Sequence, residues 1–424
     1  MLTAITGVNW GDEGKGRMVD LLSRDYEIVV RYQGGNNAGH TVVNEKGKFI
    51  LNLLPSGVLR EDVVNVMGPG MVVDLAHLCG ELDRLAQAGL PLGPDRLKIS
   101  DKAVICLPYH PMQDCLEEDR LGDAKYGSTR RGIAPVYGDT YMKKAVRMGE
   151  LLEPEALKER LNGIVAWKSA TFTGVYGAQP VDFEAVWAWL EQYGSRLKPY
   201  VCDVSAYLDE AAGAGKNILF EAQLGALRDI DFGIYPYTSS SSTISAYAPI
   251  GAGIPGRKLD KSIGVMKAYS TCVGEGPFTC EFFGEEAEKL RAAGGEYGAA
   301  TGRPRRVGPF DVVASRYGAH MQGADEIALT KLDVLSGHER LRVCVRYEID
   351  GVQTDRFPTG ARLDRAKPVY ETLPGWMCDI SACRSWEELP QAARDYIQAL
   401  EDAVGVPIRY VSVGADRDAY LIKP

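Results

Sequence analysis

The most constraining feature of this chain lies at its start. A short apolar run, residues 2–6, gives way to the glycine-dense segment GVNWGDEGKG at 7–16, then to an amphipathic stretch from about 14 to 23 with Met18, Val19 and Leu22 on one face. The apolar run reads as a buried strand and the periodicity after it as a helix. A buried strand that feeds a helix through a glycine turn belongs in a parallel sheet covered by helices on both faces. The pattern recurs along the chain. Residues 27–32, 63–67, 217–220 and 326–329 read as further strands. Pro390 suits a first helical turn, Ala393, Tyr396, Ile397 and Leu400 make an apolar stripe, Gly405 is a stop, and 408–413 is a strand. The expected fold is α/β, a large mainly parallel sheet flanked by helices. The 424 residues contain no repeat, low-complexity tract or clean linker, so one domain with long inserted subdomains is expected over residues 1–424.

Composition narrows the function. A net charge of −9 argues against a broad surface for nucleic-acid polymers but leaves room for a locally built phosphate site. No stretch approaches the roughly 20 apolar residues needed to span a bilayer. The first residues lack the charged and apolar regions of a secretory signal. Nine cysteines with no CxxC pair read as free thiols in a reducing compartment, so a cytoplasmic enzyme is expected.

Four segments carry chemistry. In the first, backbone N–H groups at a helix start and Lys15 can cradle phosphate. A standard P-loop places Ser or Thr after the lysine to reach magnesium. Here Gly16 follows, so the loop's carboxylate, Asp12, is the natural ligand for a hard cation. A glycine turn without any ligand is the bland alternative, disfavoured by Asp12, Glu13 and Lys15 lying among four glycines. The second segment, RYQGGNNAGHT at 31–41, puts Asn37 and His40 after a strand, at the edge where open parallel sheets bind ligands. The third, TKLD at 330–333, also ends a strand. Its carboxylate can accept from the N1 and N2 donors of guanine, which adenine lacks. Alone it is a weak signal and a surface turn is the default; beside a phosphate loop it points to GTP. The fourth, GAATGRPRR at 298–306, carries three arginines among small residues. It is either a solvated charge run or a loop whose planar forks grip carboxylates or phosphates.

Together these segments resemble the adenylosuccinate synthetase family. The similarity extends through GSTRRGI at 127–133, DID at 229–231, YPY at 235–237, KAYST at 267–271, VGEGPF at 273–278, YETLPGW at 370–376 and LPQAA at 389–393. The resemblance implies a fold related to P-loop GTPases with long active-site insertions, and a homodimer. It implies GTP- and Mg2+-dependent ligation of L-aspartate to the 6-oxo position of IMP through a 6-phosphoryl intermediate. Asp12 would take the purine N1 proton, with His40, Lys15 and a glutamine at Gln223 as the other catalytic groups. Asp12 and the carbonyl of Gly39 would hold magnesium. GTP would meet Gly11, Glu13, Gly14, Lys15, Gly16, Lys331, Asp333, Ser412 and Gly414. The acceptor nucleotide would meet Asn37, Ser128, Thr129, Lys143, Leu224, Arg228, Ser239, Val273 and Arg303. Aspartate would meet Ala299, Thr301, Arg303 and Arg305.

Departures cluster around the acceptor. The family's FEGAQG reads FEAQLG at 220–225, so either the glutamine has moved to Gln223 or Leu224 takes its place. The apolar position that packs on the purine is Arg228, where a cation could stack on a ring or meet an acidic or oxygen-rich group. A phosphate-binding threonine is Ser239, an asparagine is Ser242, the partner subunit's arginine is Lys143, a loop threonine is Ala300, and the arginine before VGEGPF is Cys272. Two alternatives follow: the same chemistry on a different acceptor, such as a modified purine, or a GTP-binding switch without ligase activity.

Overall fold

The computed structural model describes residues 1–37, 39–44, 47–297, 302, 304–416 and 418–424. Its centre is a ten-stranded sheet. In chain order the strands are β1 (Leu2–Gly7), β2 (Ile28–Arg31), β3 (Val64–Met67), β4 (Leu97–Ser100), β5 (Val201–Cys202), β6 (Ile218–Glu221), β7 (Lys261–Lys267), β8 (Glu326–Thr330), β9 (Ile408–Ser412) and β10 (Tyr420–Ile422). Across the sheet the order is β10-β9-β8-β7-β1-β6-β2-β3-β4-β5. Every neighbouring pair is parallel except β9 with β10.

The strands are apolar along their length because both faces are covered, and successive side chains alternate between those faces. On one face Ala4, Ile28, Val30, Ile218 and Phe220 pack with Val204 and Leu208 of the helix Val204–Gly213. On the other, Ile5, Val29, Leu219, Ile263 and Val265 pack against Met18, Val19 and Leu22 of α1 (Lys15–Leu22). Burying a side chain of this size stabilises the fold by roughly 1.5–3 kcal/mol, and all five of these strand residues are at most 2% exposed. The expected C-terminal helix is Gln391–Val404. It buries Ala393, Tyr396, Ile397 and Leu400 and stops at Gly405.

The parallel order brings six strand ends to one edge. β1 runs into the 7–16 loop, β2 into 32–39, β6 into 222–228, β8 into 331–333 and β9 into 412–414, while β7 ends on Lys267. This is the edge at which open α/β sheets bind ligands. Insertions surround it: a hairpin of His40–Asn44 with Gly47–Leu51, long helices Pro154–Tyr176 and Phe183–Leu197, and an antiparallel pair of Arg340–Ile349 with Lys367–Pro374. None of the described helices is long and apolar enough to cross a membrane.

Candidate active site

α1 opens on Gly14, at φ 98°, with no side chain capping its first turn. A glycine at the cap leaves its leading N–H groups without a capping side chain, the arrangement that suits an anion. Lys15 is 3% exposed and its Nζ lies 2.7 Å from Glu13 Oε2. Glu13 Oε1 accepts from the backbone N–H of Gly11 at 2.8 Å and of Asn9 at 3.1 Å. The Glu13 carboxylate is thus an internal brace of the loop. It engages the lysine and two loop amides, an acceptor role that a phosphate could also fill.

His40 was expected among small polar residues; the structure gives it a specific partner. Its Nδ1 meets Glu221 Oε1 at the end of β6. Ser56 donates to the same carboxylate through its hydroxyl at 2.6 Å and its backbone N–H at 2.7 Å. Burial alone would raise the Glu221 pKa, but the charge and hydrogen bond of His40, with Arg31 and Ser56, hold it below the usual carboxylate range. An ionised carboxylate only accepts, so Nδ1 carries a proton and Nε2 is the ring's free nitrogen.

The glutamine question has a geometric answer. Gln223 Oε1 accepts from Gly35 N at 3.0 Å, and Nε2 donates to Gly35 O at 3.1 Å and Asn37 Oδ1 at 3.0 Å. A β-carbon on Gly34 would stand 1.7 Å from Gln223 Oε1, and Gly34 has φ 79°, so only glycine admits this contact. The Gln223 amide is spent on the 34–37 loop and holds Asn37 in place; it does not stand as an uncommitted donor. Leu224, at φ 62°, turns the other way and packs on Gly11. The left-handed backbone at Leu224 is what separates the two roles: Gln223 braces the 34–37 loop and Leu224 lies against Gly11.

Asp12, 28% exposed and at φ 60°, pairs with Arg305, whose Nε lies 3.0 Å from Asp12 Oδ2. Arg305 Nη1 also donates to Glu296 Oε2 at 2.7 Å. Glu296 is fully buried and further accepts from Lys267 at 2.8 Å and from the Tyr269 hydroxyl at 2.5 Å, with Lys331 Nζ 3.8 Å away. Burial opposes its charge, yet Lys267 and Lys331 outweigh burial and bring its pKa down to about 2. Ala299, Ala300, Thr301 and Arg303 lie outside the described residues.

At the segment expected to meet guanine, Lys331 (φ 62°) donates to Gly294 O. Burial raises the Asp333 pKa, opposed by its own backbone and by Lys331 and Arg17. Arg17 of α1 donates to Ser412 Oγ and to the carbonyls of Gly414, Asp416 and Ala419. It thereby moulds the loop that carries two of the expected contacts.

The acceptor segments converge less completely. Ser128 donates to Asp114 at 2.6 Å, while Thr129 and Lys143 are exposed. Ser239 N donates to Arg228 O at 2.8 Å. Arg228 neither meets an acidic group nor presents a free face. It is 7% exposed, and its guanidinium serves the carbonyls of Tyr237, Val273 and Glu275 and the Cys272 sulfur. The oxygen-rich partner expected for it is the protein's own backbone. Glu221, Glu296 and Arg17 were missed by sequence reasoning. For Glu221 the available signal was a charged residue ending an otherwise apolar strand, as at Arg31; Glu296, after a helix, and Arg17, within one, carried no such signal.

The adenylosuccinate synthetase family model matches residues 4–421. Adenylosuccinate synthetases of Synechococcus elongatus and of a second Synechococcus strain are each 45% identical over 419 residues, 99% of this chain and 94% of theirs. The structure described as fully ligated adenylosuccinate synthetase from Plasmodium falciparum superposes with a TM-score of 0.93 at 36% identity, covering 100% of both chains. Cyanophage S-2L succinoaminodeoxyadenylate synthetase, bound to dGMP and dATP as an energy donor, shares the fold at a TM-score of 0.62 and 18% identity, covering 100% of this chain and 95% of its own. With the loops, the sheet edge and the full-length match in agreement, the chain belongs to the adenylosuccinate synthetase family.

Proposed function

We propose that this chain is a GTP-dependent C–N ligase that joins L-aspartate to IMP, giving adenylosuccinate, GDP and phosphate. The observation that carries the reading is the Asp12–Arg305 pair, which joins the phosphate loop to the arginine loop at the sheet edge. A base for the acceptor and a cation for a dicarboxylate are thereby neighbours before either substrate is bound. Full-length relationship at 45% identity favours IMP over a different acceptor.

Asp12 takes the proton from purine N1 once a substrate carboxylate draws Arg305 away. The 6-oxygen then attacks the γ-phosphate of GTP, Lys15 exchanges Glu13 for phosphate oxygens, and His40 supports the transferring group from Nε2 while Glu221 fixes its ring. Phosphoryl transfer is mostly positioning and charge stabilisation, which these groups supply. The amine of aspartate, held by Arg305, displaces the 6-phosphoryl group. Asp333 accepts from guanine N1 and N2 through its carboxylate.

The donor set near the phosphate loop suits Mg2+. Asp12 and the Gly39 carbonyl are hard oxygens, and the described residues contain no cluster of three or more His, Cys, Asp or Glu to cage an ion. An ion held by one or two protein oxygens and by substrate phosphates is the habit of magnesium. When bound it would supply positive charge to offset that of the GTP phosphates. The acceptor site is completed by Lys143 of a second copy in a homodimer.

The test is phosphate release from GTP with magnesium and aspartate, with and without IMP, with products identified by mass. Phosphate release that depends on IMP and aspartate, with a succinylated AMP, supports the reading. GTP binding by folded protein without IMP turnover overturns it.

A further inference from the structure

Residues 270–272 form a strand antiparallel to Arg306–Gly308, and beyond Cys272 the chain leaves that ladder. The carbonyls that follow are taken by two arginines. Arg306 Nη1 donates to Gly276 O at 2.7 Å and Gly274 O at 3.5 Å, while its Nε binds Glu281 at 2.8 Å. Arg228 donates to Val273 O and, from both terminal nitrogens at 3.3 Å, to Glu275 O. The same guanidinium binds Tyr237 O and lies 3.1 Å from Cys272 Sγ. A planar fork with five donors can serve several carbonyls at once; an ammonium cannot hold that geometry.

Arg228 therefore sits where three segments meet. Its own carbonyl accepts from Ser239 N at 2.8 Å. Its side chain fixes Val273 and Glu275. Glu275 in turn lies close to the loop that carries Ser128 and Thr129, so close that a β-carbon on Gly127 would stand 3.1 Å from the Glu275 amide nitrogen. Tyr126 of that loop also meets Tyr237 ring to ring, with centroids 6.3 Å apart.

We infer that Arg228 is a positioning residue for the acceptor nucleotide: its guanidinium holds Tyr237, Val273 and, through Glu275, the 126–129 loop in register, without touching the nucleotide itself. This rests on the acceptor reading given above. The guanidinium is buried and committed to backbone carbonyls, so removing it frees the 273–276 segment and leaves the GTP loops as they are.

The Arg228→Leu variant of the full chain is expected to raise KM for IMP about tenfold, to leave KM for GTP within about twofold, and to change kcat little. Amide hydrogen exchange in 272–278 should speed up in the ligand-free protein, while exchange in 11–16 stays as in the parent. Because Cys272 Sγ is 3.1 Å from the guanidinium, an arginine placed there can refill the same space. The double variant Arg228→Leu/Cys272→Arg should restore both slow exchange and KM for IMP. If Arg228→Leu does not fold, Arg228→Lys serves instead: it keeps the charge and loses the fork, and faster exchange in 272–278 with a raised KM for IMP is expected. A folded Arg228 variant with parental exchange and parental KM for IMP overturns the inference, as does a folded double variant that rescues neither. A parent protein that turns over no IMP would sink the proposed function alone, since exchange in 272–278 still tests Arg228.

Discussion

Asp12 holds a left-handed backbone conformation, φ 60°, that costs most side chains about 1–2 kcal/mol. Asparagine tolerates that region as well as aspartate does. The Asp12→Asn variant should therefore melt like the parent, bind GTP, and lose IMP-dependent phosphate release by at least about a hundredfold. Retained turnover would remove Asp12 as the base. Glu221 acts one step back. It touches no substrate in the proposed mechanism, yet it is the buried acceptor that orients His40. Glu221→Gln keeps the shape and loses the charge. It should cut kcat by roughly a hundredfold while KM for GTP and IMP moves within about twofold. An unchanged kcat would show that His40 needs no oriented ring.

At the scale of elements, Glu296 ties the start of the arginine loop to two strand ends, through Lys267 on β7 and Lys331 after β8. Its pKa lies at about 2 in the folded chain against 4.5 in its absence. A depressed carboxylate stabilises the fold above its unfolded pKa, and that stability is lost as pH falls from about 4.5 towards 2; the shift corresponds to about 3 kcal/mol. Asp311, raised by burial to about 6 despite its helix-capping bond, runs the opposite way, with stability present in acid and lost as pH rises through 6. Glu296→Gln should flatten acid unfolding between pH 4.5 and 2. It should also raise KM for aspartate about tenfold, because Arg305 loses one of its two carboxylates. An unaltered acid limb in urea titrations would contradict the ion-pair account. Legibility divides along the same line. β1, β6 and α1 could be read because period and punctuation are local. The pairings Glu296–Arg305, Glu221–His40 and Arg228–Val273 could not, since each joins segments that only the fold brings together. In the antiparallel insertion after residue 340, Asp350-Gly351 marks a local turn, at φ 52° and 82°, but nothing local marks the pairing of Arg340–Ile349 with Lys367–Pro374. At 220–225 the motif itself was legible, but which side chain faced the site depended on Gly34 admitting Gln223.

At the scale of the molecule, the six strand ends bring to one edge the groups proposed to serve GTP, aspartate and the acceptor base, while Lys143 stands apart from that edge's buried groups. It is exposed at φ 63° just after the helix Ile133–Tyr141, beside Tyr141 at 85% and Met142 at 52% exposure. Apolar side chains beside an exposed cation suit the proposed homodimer, in which each Lys143 serves the partner's acceptor phosphate. Shared sites make a quantitative prediction. Asp12→Asn alone is inactive, and Lys143→Ala alone is impaired because each of its sites lacks the cation. When the two variants are unfolded together, refolded and allowed to pair at random, half of the dimers are mixed. In a mixed dimer one site combines both defects, and the other combines the intact Asp12 of one chain with the intact Lys143 of its partner. Activity should therefore rise to about a quarter of the parent's, above the mean of the two separate variants. Activity equal to that mean would place Lys143 in its own subunit's site or outside the site altogether, and the homodimer would then have no part in binding the acceptor.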